Sequence, residues 1–251
     1  MSLARAVLLL GALALTSSCN RGKDGDMGDP PTSVSPGGPE SFAKKGSNPP
    51  VVLTLKVAFA ENVQLSELHD FSDKLSMAND SLWQVTEGQV RIGRVRMSDN
   101  SHPGSTSNQY NSLNLSGYDM VVWSPLNHNG PGIAYVLVGA GRFGRFMGVP
   151  SNIANTTILH EFGHMIFELT WSAGEVLIDE YDNPPQDSAC LMELEYNPLR
   201  WCASDNHQTQ VGQPHSCWTQ ILADYPDFTF SNLHTTSQPV APPVFEYTDT
   251  P

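Results

Sequence analysis

Two histidines and a glutamate stand at a spacing that suits metal chemistry. His160 and His164 are four residues apart, and Glu161 directly follows the first of them. Residues four apart share one face of an α-helix, so two imidazole nitrogens can reach a single ion at about 2.1 Å. A carboxylate beside that ion can take a proton from water and pass one to a leaving amine. We therefore expect a Zn²⁺ site at His160 and His164, with Glu161 as the catalytic general base.

A predicted helix carries these three residues. Residues 156–169 have a helical pattern, and Asn155 or Thr156 is available as the N-cap. The apolar residues of this segment recur at helical intervals and form one stripe, made of Ile158, Phe162, Met165, Ile166 and Leu169. One side of the helix is therefore expected to be buried. The competing interpretation is a pair of ordinary histidines on a core or surface helix.

Strands and one further helix are predicted before the histidine helix. Apolar runs and alternation indicate strands at 51–58, 89–97, 118–123 and 133–138, and a helical period indicates a helix at 64–83. The glycine-rich run 139–148 lacks the Lys-Ser/Thr ending of a phosphate-binding loop, so a flexible or tight loop is expected there. This order of elements predicts an α/β (α+β) fold with helices packed on a twisted mixed sheet.

The two ends of the chain differ in composition from its middle. Residues 1–18 combine Arg5 with a short apolar run and predict a signal peptide, and Cys19 ends a stretch that resembles a lipobox. Residues 19–50 are expected to form a flexible tether, 51–234 a single domain and 235–251 a disordered tail. We therefore expect an exported protein, either secreted or a bacterial envelope lipoprotein, whose membrane attachment depends on lipidation of Cys19.

The charge balance restricts the partners of the protein. The formal net charge is -13 at pH 7. Nucleic acid and anionic membrane surfaces would repel such a chain, so neither is expected as a partner. The expected state in solution is a monomer.

The chain has four cysteines, and the three besides Cys19 lie in its later part. Cys202 and Cys217 enclose a short polar loop and are expected to form a disulfide, worth about 3 kcal/mol by loop closure. If Cys19 carries lipid, Cys190 is then left over. A metal cluster that combines these cysteines with His207 and His215 is the alternative, but the segment has no Cys-x-x-Cys pattern and no regular histidine pair.

A catalytic zinc site needs a third protein ligand besides the two histidines. The carboxylates that follow the motif are Glu168, Glu175, Asp179, Glu180 and Asp182. Glu168 is two helical turns beyond His160, roughly 12 Å away by helix rise. We therefore expect it to lie on the surface or to contact a metal ligand without binding the metal itself. The residues alone leave the other carboxylates open as candidates.

The motif and its surroundings resemble a known group of enzymes. His-Glu-Phe-Gly-His followed by Asp179-Glu180-Tyr181 is similar to the metallopeptidase domain of the calcium-activated chloride channel regulator family and to IgA-peptidase-like bacterial zinc peptidases. Three other segments resemble that group in the same order along the chain: Thr86-Glu87-Gly88-Gln89, Cys190-Leu191-Met192, and the stretch from Cys202 through Cys217-Trp218. The resemblance extends over most of residues 51–221.

The resemblance implies a metzincin-like zincin domain with an active-site helix and a C-terminal subdomain that contains a Met-turn. It implies Asp179 as the third zinc ligand, although an insertion over 169–178 separates it from the second histidine, and Met192 as the residue beneath the metal. A zinc endopeptidase that hydrolyses proteins or peptides is the function expected. The alternatives are a non-catalytic envelope binding module that keeps zinc as a clamp, and a structural lipoprotein without metal.

Overall fold

A computed structural model describes the residues that carry the main sheet and the histidine helix. The described residues are 48–99, 117–123, 135–138, 145–169, 171–173, 176–178, 190–192, 199–203, 216–233 and 235–248. Within 135–138, 171–173 and 176–178 only the backbone is described. The predicted signal peptide, the lipidation site Cys19 and nearly all of the predicted tether lie outside the described residues.

Strands and helices follow one another along the chain as the sequence pattern predicts. The elements are β1 Val51–Phe59, α1 Leu65–Val85, β2 Val90–Ser98, β3 Met120–Trp123, β4 Tyr135–Val138, β5 Arg145–Pro150, α2 Asn155–Phe167, β6 Trp171–Ala173, β7 Val176–Ile178, α3 Cys217–Asp224 and β8 Val244–Thr248. The main sheet has the order β4-β5-β3-β1-β2-β8, and β6 and β7 form a separate antiparallel pair. Only β4 runs antiparallel to its neighbour in the main sheet. The predicted α/β class with a mixed sheet is confirmed.

The core lies between the sheet and the helices packed on it. Val51, Leu53 and Leu55 of β1 are buried, while Val52 and Thr54 between them are exposed. This alternation places one face of the sheet against the helices. Helix α1 buries a stripe of apolar side chains on the same core, made of Leu68, Phe71, Leu75 and Leu82, and it also packs against α2. Among the described helices, none is both long enough and apolar enough to cross a bilayer.

Residues 145–150 form a strand where the sequence predicts part of a loop. Phe146, Met147 and Val149 of β5 are buried, and the strand pairs with β3 on one side and β4 on the other. Gly148 pairs with Val121, inside the ladder. The glycines interrupt this apolar run, so the sequence pattern indicated a loop over 139–148. That prediction is wrong for residues 145–148. The rest of that segment lies outside the described residues.

The segment predicted as a disordered tail contains strand β8. It pairs in parallel with β2, and the Tyr247 hydroxyl hydrogen-bonds with the Ser72 Oγ at 2.8 Å. The Trp83 indole N–H donates to the Gln238 carbonyl at 2.9 Å. Composition indicated disorder because the segment has few apolar side chains to bury. Main-chain hydrogen bonds to the edge of β2 and contacts with α1 order the segment, and composition does not reveal such contacts.

Candidate metal centre

Helix α2 is held by its apolar side and ends in a sharp reversal. Ile158, Phe162 and Ile166 are fully buried, and the helix packs against α1, β4 and β5. It begins after Ala154, one residue before the predicted caps. It ends at Phe167, and its C-cap Glu168 has a left-handed backbone at φ 58°, so that the Leu169 N–H donates to the Gly163 carbonyl at 3.1 Å. The reversal brings the Leu169 backbone back to the side of the helix.

The two histidine rings point at each other, and their outer nitrogens are anchored by backbone carbonyls. The Nε2 atoms of His160 and His164 lie 3.0 Å apart. His160 Nδ1 lies 2.9 Å from the Leu191 carbonyl oxygen, and His164 Nδ1 lies 2.7 Å from that of Leu169. A carbonyl oxygen only accepts hydrogen bonds, so each Nδ1 carries the proton that it donates. In the neutral rings, both Nε2 atoms therefore present lone pairs to the same point.

This donor pair fits a divalent cation. Two nitrogens at 2.0–2.1 Å from a tetrahedral Zn²⁺ are about 3.3 Å apart, close to the separation seen here. Two lone pairs at 3.0 Å repel each other unless a cation or a proton lies between them. His160 is 3% exposed, so water screens this repulsion poorly. The pair could therefore hold a divalent cation at the point where the rings meet.

Glu161 and Glu168 have different surroundings. Glu161 is 6% exposed and lies on α2 directly after His160, at the flank of the histidine face. Glu168 is half-exposed, and its carboxylate forms a salt bridge with Arg145 at 2.8 Å. The structure therefore buries Glu161 on α2, next to His160 in sequence, and places Glu168 at the C-cap of the helix, in an ion pair with Arg145.

A turn that contains Met192 lies against the middle of helix α2. A Cβ added to Gly163 would lie 2.6 Å from the Met192 Sδ and 3.2 Å from its Cε. Only a glycine allows Met192, which is 1% exposed, to approach the helix this closely. Leu191 of the same turn accepts the His160 hydrogen bond. Gly163 was not singled out from the sequence, although a glycine inside an apolar helix is a signal of close packing. No pattern in the sequence indicates that the Leu191 and Leu169 carbonyls contact the histidines.

The predicted third ligand lies outside the described residues. This holds for Asp179 and for its alternatives Glu175, Glu180 and Asp182. The strands β6 and β7, which precede Asp179, form the short antiparallel pair within the predicted insertion. The third ligand therefore remains a prediction.

Three cysteine side chains converge next to the Met192 turn, which corrects the predicted disulfide. The Cys202 and Cys217 Sγ atoms are 3.4 Å apart, and Cys190 Sγ is 3.6 Å from Cys217 Sγ. All three residues are thiols in this structure, and all are at most 2% exposed. The spacing favoured a bridge between Cys202 and Cys217 because it could not show that the chain brings Cys190 back to the same point. The sulfurs lie within 4.8 Å of one another and could hold a metal ion.

Burial raises the pKa of the Cys217 thiol well above its ordinary value, and the neighbouring Cys190 and Cys202 raise it further. Removing a proton from such a site costs more than it does in water. A cation that binds the cluster must therefore displace protons from the thiols.

A scan against models of protein families gives no match to this chain, and a search of curated proteins gives none either.

Proposed function

We propose that this protein is a zinc-dependent endopeptidase in which His160 and His164 bind the metal and Glu161 acts as general base. The observation that carries the proposal is the pair of Nε2 atoms 3.0 Å apart, each on a ring whose Nδ1 is anchored by a backbone carbonyl. A helix with two core histidines has no need of such an arrangement. Glu161, which is buried and follows His160 on the same helix, adds a carboxylate that a purely structural site would not use.

The roles of the residues follow from their positions. A bound Zn²⁺ would lower the pKa of a water ligand to about 7 and polarise the carbonyl of a peptide bond. His160 and His164 would supply neutral nitrogen ligands, because the carbonyls of Leu191 and Leu169 fix the proton of each ring on Nδ1. Glu161 would accept the proton of the attacking water and then donate a proton to the leaving amine.

Asp179 is the proposed third ligand, and Met192 the proposed residue of a Met-turn beneath the metal, as the resemblance to metzincin-like peptidases implies. The contact of Met192 with Gly163, between Glu161 and His164, supports the second assignment. Asp179 follows β7 directly in sequence. Glu180 and Glu175 are the alternatives for the third position.

The substrate is proposed to be a protein or peptide bound in extended form along β4. This strand is at the edge of the main sheet as described, and α2 packs against it. An edge strand offers unpaired main-chain N–H and C=O groups to which a substrate backbone can add as a further strand. The proposed enzyme is exported and monomeric, and it is either secreted or attached to the envelope by lipid on Cys19.

Substitution of Glu161 by glutamine tests the proposal. Glu161→Gln keeps the shape of the side chain but cannot take a proton, so we expect cleavage of unfolded protein substrates to fall by a factor of about 10² or more. Zinc bound per chain should not change, because the histidines are intact. Glu168→Gln is the matched control, since it changes a carboxylate of the same helix segment that lies in a surface ion pair. It should keep its activity.

Two outcomes would contradict the proposal in different ways. Zinc bound at the histidines of the unmodified protein, without any cleavage, would favour the non-catalytic, zinc-stabilised binding module. Failure of the unmodified protein to bind zinc at the histidines would remove the metal site altogether.

A further inference from the structure

We propose that Cys190, Cys202 and Cys217 bind one thiophilic metal ion, Zn²⁺ or Cu⁺, at a site distinct from the histidine pair. The sulfur separations of 3.4 and 3.6 Å are far longer than the bond of about 2.05 Å in a disulfide. They are close to the separation of about 3.8 Å between thiolates on a tetrahedral zinc with bonds of about 2.3 Å. Thiolates are also the ligands that select soft ions over Mg²⁺ or Ca²⁺.

Backbone N–H groups point at the sulfurs. The Met192 and Cys202 N–H groups donate to the Cys190 Sγ at 3.5 and 3.3 Å, and the Cys217 N–H donates to the Cys202 Sγ at 3.2 Å. Such donors stabilise the negative charge of a thiolate and fix the direction of its lone pairs. Three thiolates around Zn²⁺ leave one net negative charge, which these dipoles offset. The hydrogen bonds thus favour the charged forms of Cys190 and Cys202 that a metal requires.

The cluster joins three segments of the chain that are separate in sequence. The Leu191 N–H donates to the Arg200 carbonyl at 2.7 Å, and the Trp218 N–H donates to the Cys202 carbonyl at 3.1 Å. These bonds bring the turn at 190–192, the segment 199–203 and the start of α3 to one point. An ion bound by one cysteine from each segment would fasten all three together.

The site has a consequence for the histidine pair, and this consequence rests on the proposed function. Cys190 precedes Leu191, whose carbonyl anchors His160, and Met192, which packs on Gly163. A metal at the cysteines would therefore hold the turn that orients one of the proposed zinc ligands. The cysteine site is a clamp for that turn and takes no part in the chemistry.

Metal analysis of the full chain tests the proposal. The unmodified protein, a His160→Ala/His164→Ala variant and a Cys202→Ser variant are loaded with Zn²⁺ or, under reducing conditions, with Cu⁺, then dialysed. We expect Cys202→Ser to lose one ion and the histidine variant to retain one. Ser216→Ala is the matched control. It removes the N-cap of α3 next to Cys217, where the Ser216 Oγ accepts from the Thr219 N–H, but leaves every sulfur in place. It should keep the ion.

The outcomes separate this proposal from the proposed function. If the histidine variant and the unmodified chain each bind one ion and Cys202→Ser binds none, the histidine site fails and the cysteine site stands. If the histidine variant binds none, the cysteine site is overturned. Loss of the ion in both Cys202→Ser and Ser216→Ala would also overturn it, because a folding defect alone would then account for the loss.

Thiol mapping and spectroscopy provide a test that does not depend on the cysteine variant folding. The unmodified chain is denatured in the presence of a chelator and an alkylating agent, with and without prior reduction. Mass spectrometry then shows which cysteines are alkylated. Alkylation of all three without reduction is expected, as is sulfur-to-metal charge-transfer absorption when Co²⁺ is added to the folded histidine variant. A disulfide between any two of the three cysteines, or Co²⁺ binding without that absorption, would overturn the proposal.

Discussion

At the scale of single residues, the backbone orients the candidate metal ligands. The carbonyls of Leu169 and Leu191 accept from the two imidazoles, in positions where many metal sites place a carboxylate. A carbonyl is present whatever the side chain, so substitutions at either leucine leave the acceptor itself in place. The orientation of the rings instead depends on the path of the chain, which the reversal at Glu168 and the turn at 190–192 determine.

The contact between Gly163 and Met192 leads to a first prediction. In Gly163→Ala, the new methyl group would press on a buried side chain, and such overpacking costs about 1–3 kcal/mol. Alanine has a higher helix propensity than glycine, which stabilises the helix by about 1 kcal/mol. We therefore expect a net loss of up to about 2 kcal/mol in the free energy of unfolding, measured by urea denaturation.

Gly117→Ala is the control for this substitution. No atom lies within 4 Å of a Cβ added there, so the change should be close to neutral. Equal stabilities of the two variants would show that Met192 does not constrain the middle of α2.

Candidate site residues could be predicted where they are close in sequence. The spacing of His160, Glu161 and His164 was enough to expect two rings on one helical face. The convergence of Cys190 with Cys202 and Cys217 could not be predicted, because spacing does not report how a chain returns to itself. The same limit applies to the carbonyl of Leu191, which is 31 residues from the ring that it anchors.

At the scale of elements, α2 is connected to the C-terminal part of the chain at its last turn. Tyr225, which follows α3, donates its hydroxyl hydrogen to the Ile166 carbonyl at 2.9 Å. Burial raises the pKa of Tyr225 to about 12, with smaller contributions from the charges of Glu168 and Asp224 and an opposite one from Arg145. The protonated hydroxyl is therefore the form that the folded protein stabilises.

A pH-dependent stability is expected from this tyrosine. Its pKa is about 12 in the folded protein and 10.0 in an unperturbed tyrosine, so the unfolded chain loses the proton first as pH rises. The stabilising contribution is fully present below pH 10 and is lost progressively as pH rises from 10 to 12. Tyr225→Phe should lose about 1 kcal/mol at neutral pH through the missing hydrogen bond. It should also show a shallower fall in stability above pH 10 than the unmodified chain.

Urea unfolding of both proteins across this pH range measures the difference. Parallel stability curves for the two proteins above pH 10 would contradict the role assigned to the Tyr225 hydroxyl.

Elements with a strong internal period were predictable, and those ordered by their neighbours were not. The period of α1 and the alternation in β2 placed both elements correctly to within a few residues. Strand β5 was missed because glycines interrupt its apolar run, although β3 and β4 satisfy its backbone on both sides. Strand β8 was missed because most of its side chains are exposed. Its order comes from pairing with β2, which local composition does not show.

At the scale of the whole molecule, the C-terminal segment closes the sheet edge beside β2 and runs along α1. Its contacts include the Trp83 to Gln238 hydrogen bond and the stacking of Tyr247 on His69, with ring centroids 5.3 Å apart. A chain that ends at Leu233 loses these contacts and the whole of β8. We expect such a truncation to lower the free energy of unfolding by about 2–4 kcal/mol, given about 1 kcal/mol for each hydrogen bond lost.

A chain that ends at Thr248 is the control, because it keeps β8 complete. Thermal unfolding of both truncated chains compares them. An unchanged melting temperature in the shorter chain would agree with the disordered tail predicted from composition and would contradict the pairing of β8 with β2.

The most direct test of the metal site is the number of zinc ions retained after dialysis by His160→Ala, His164→Ala and the double variant. One ion bound by both rings requires each of them, so either single substitution should remove one zinc per chain, and the double variant should lose no more. Zinc contents equal to that of the unmodified protein in both single variants, or a loss of two ions in the double variant, would contradict a shared metal between His160 and His164.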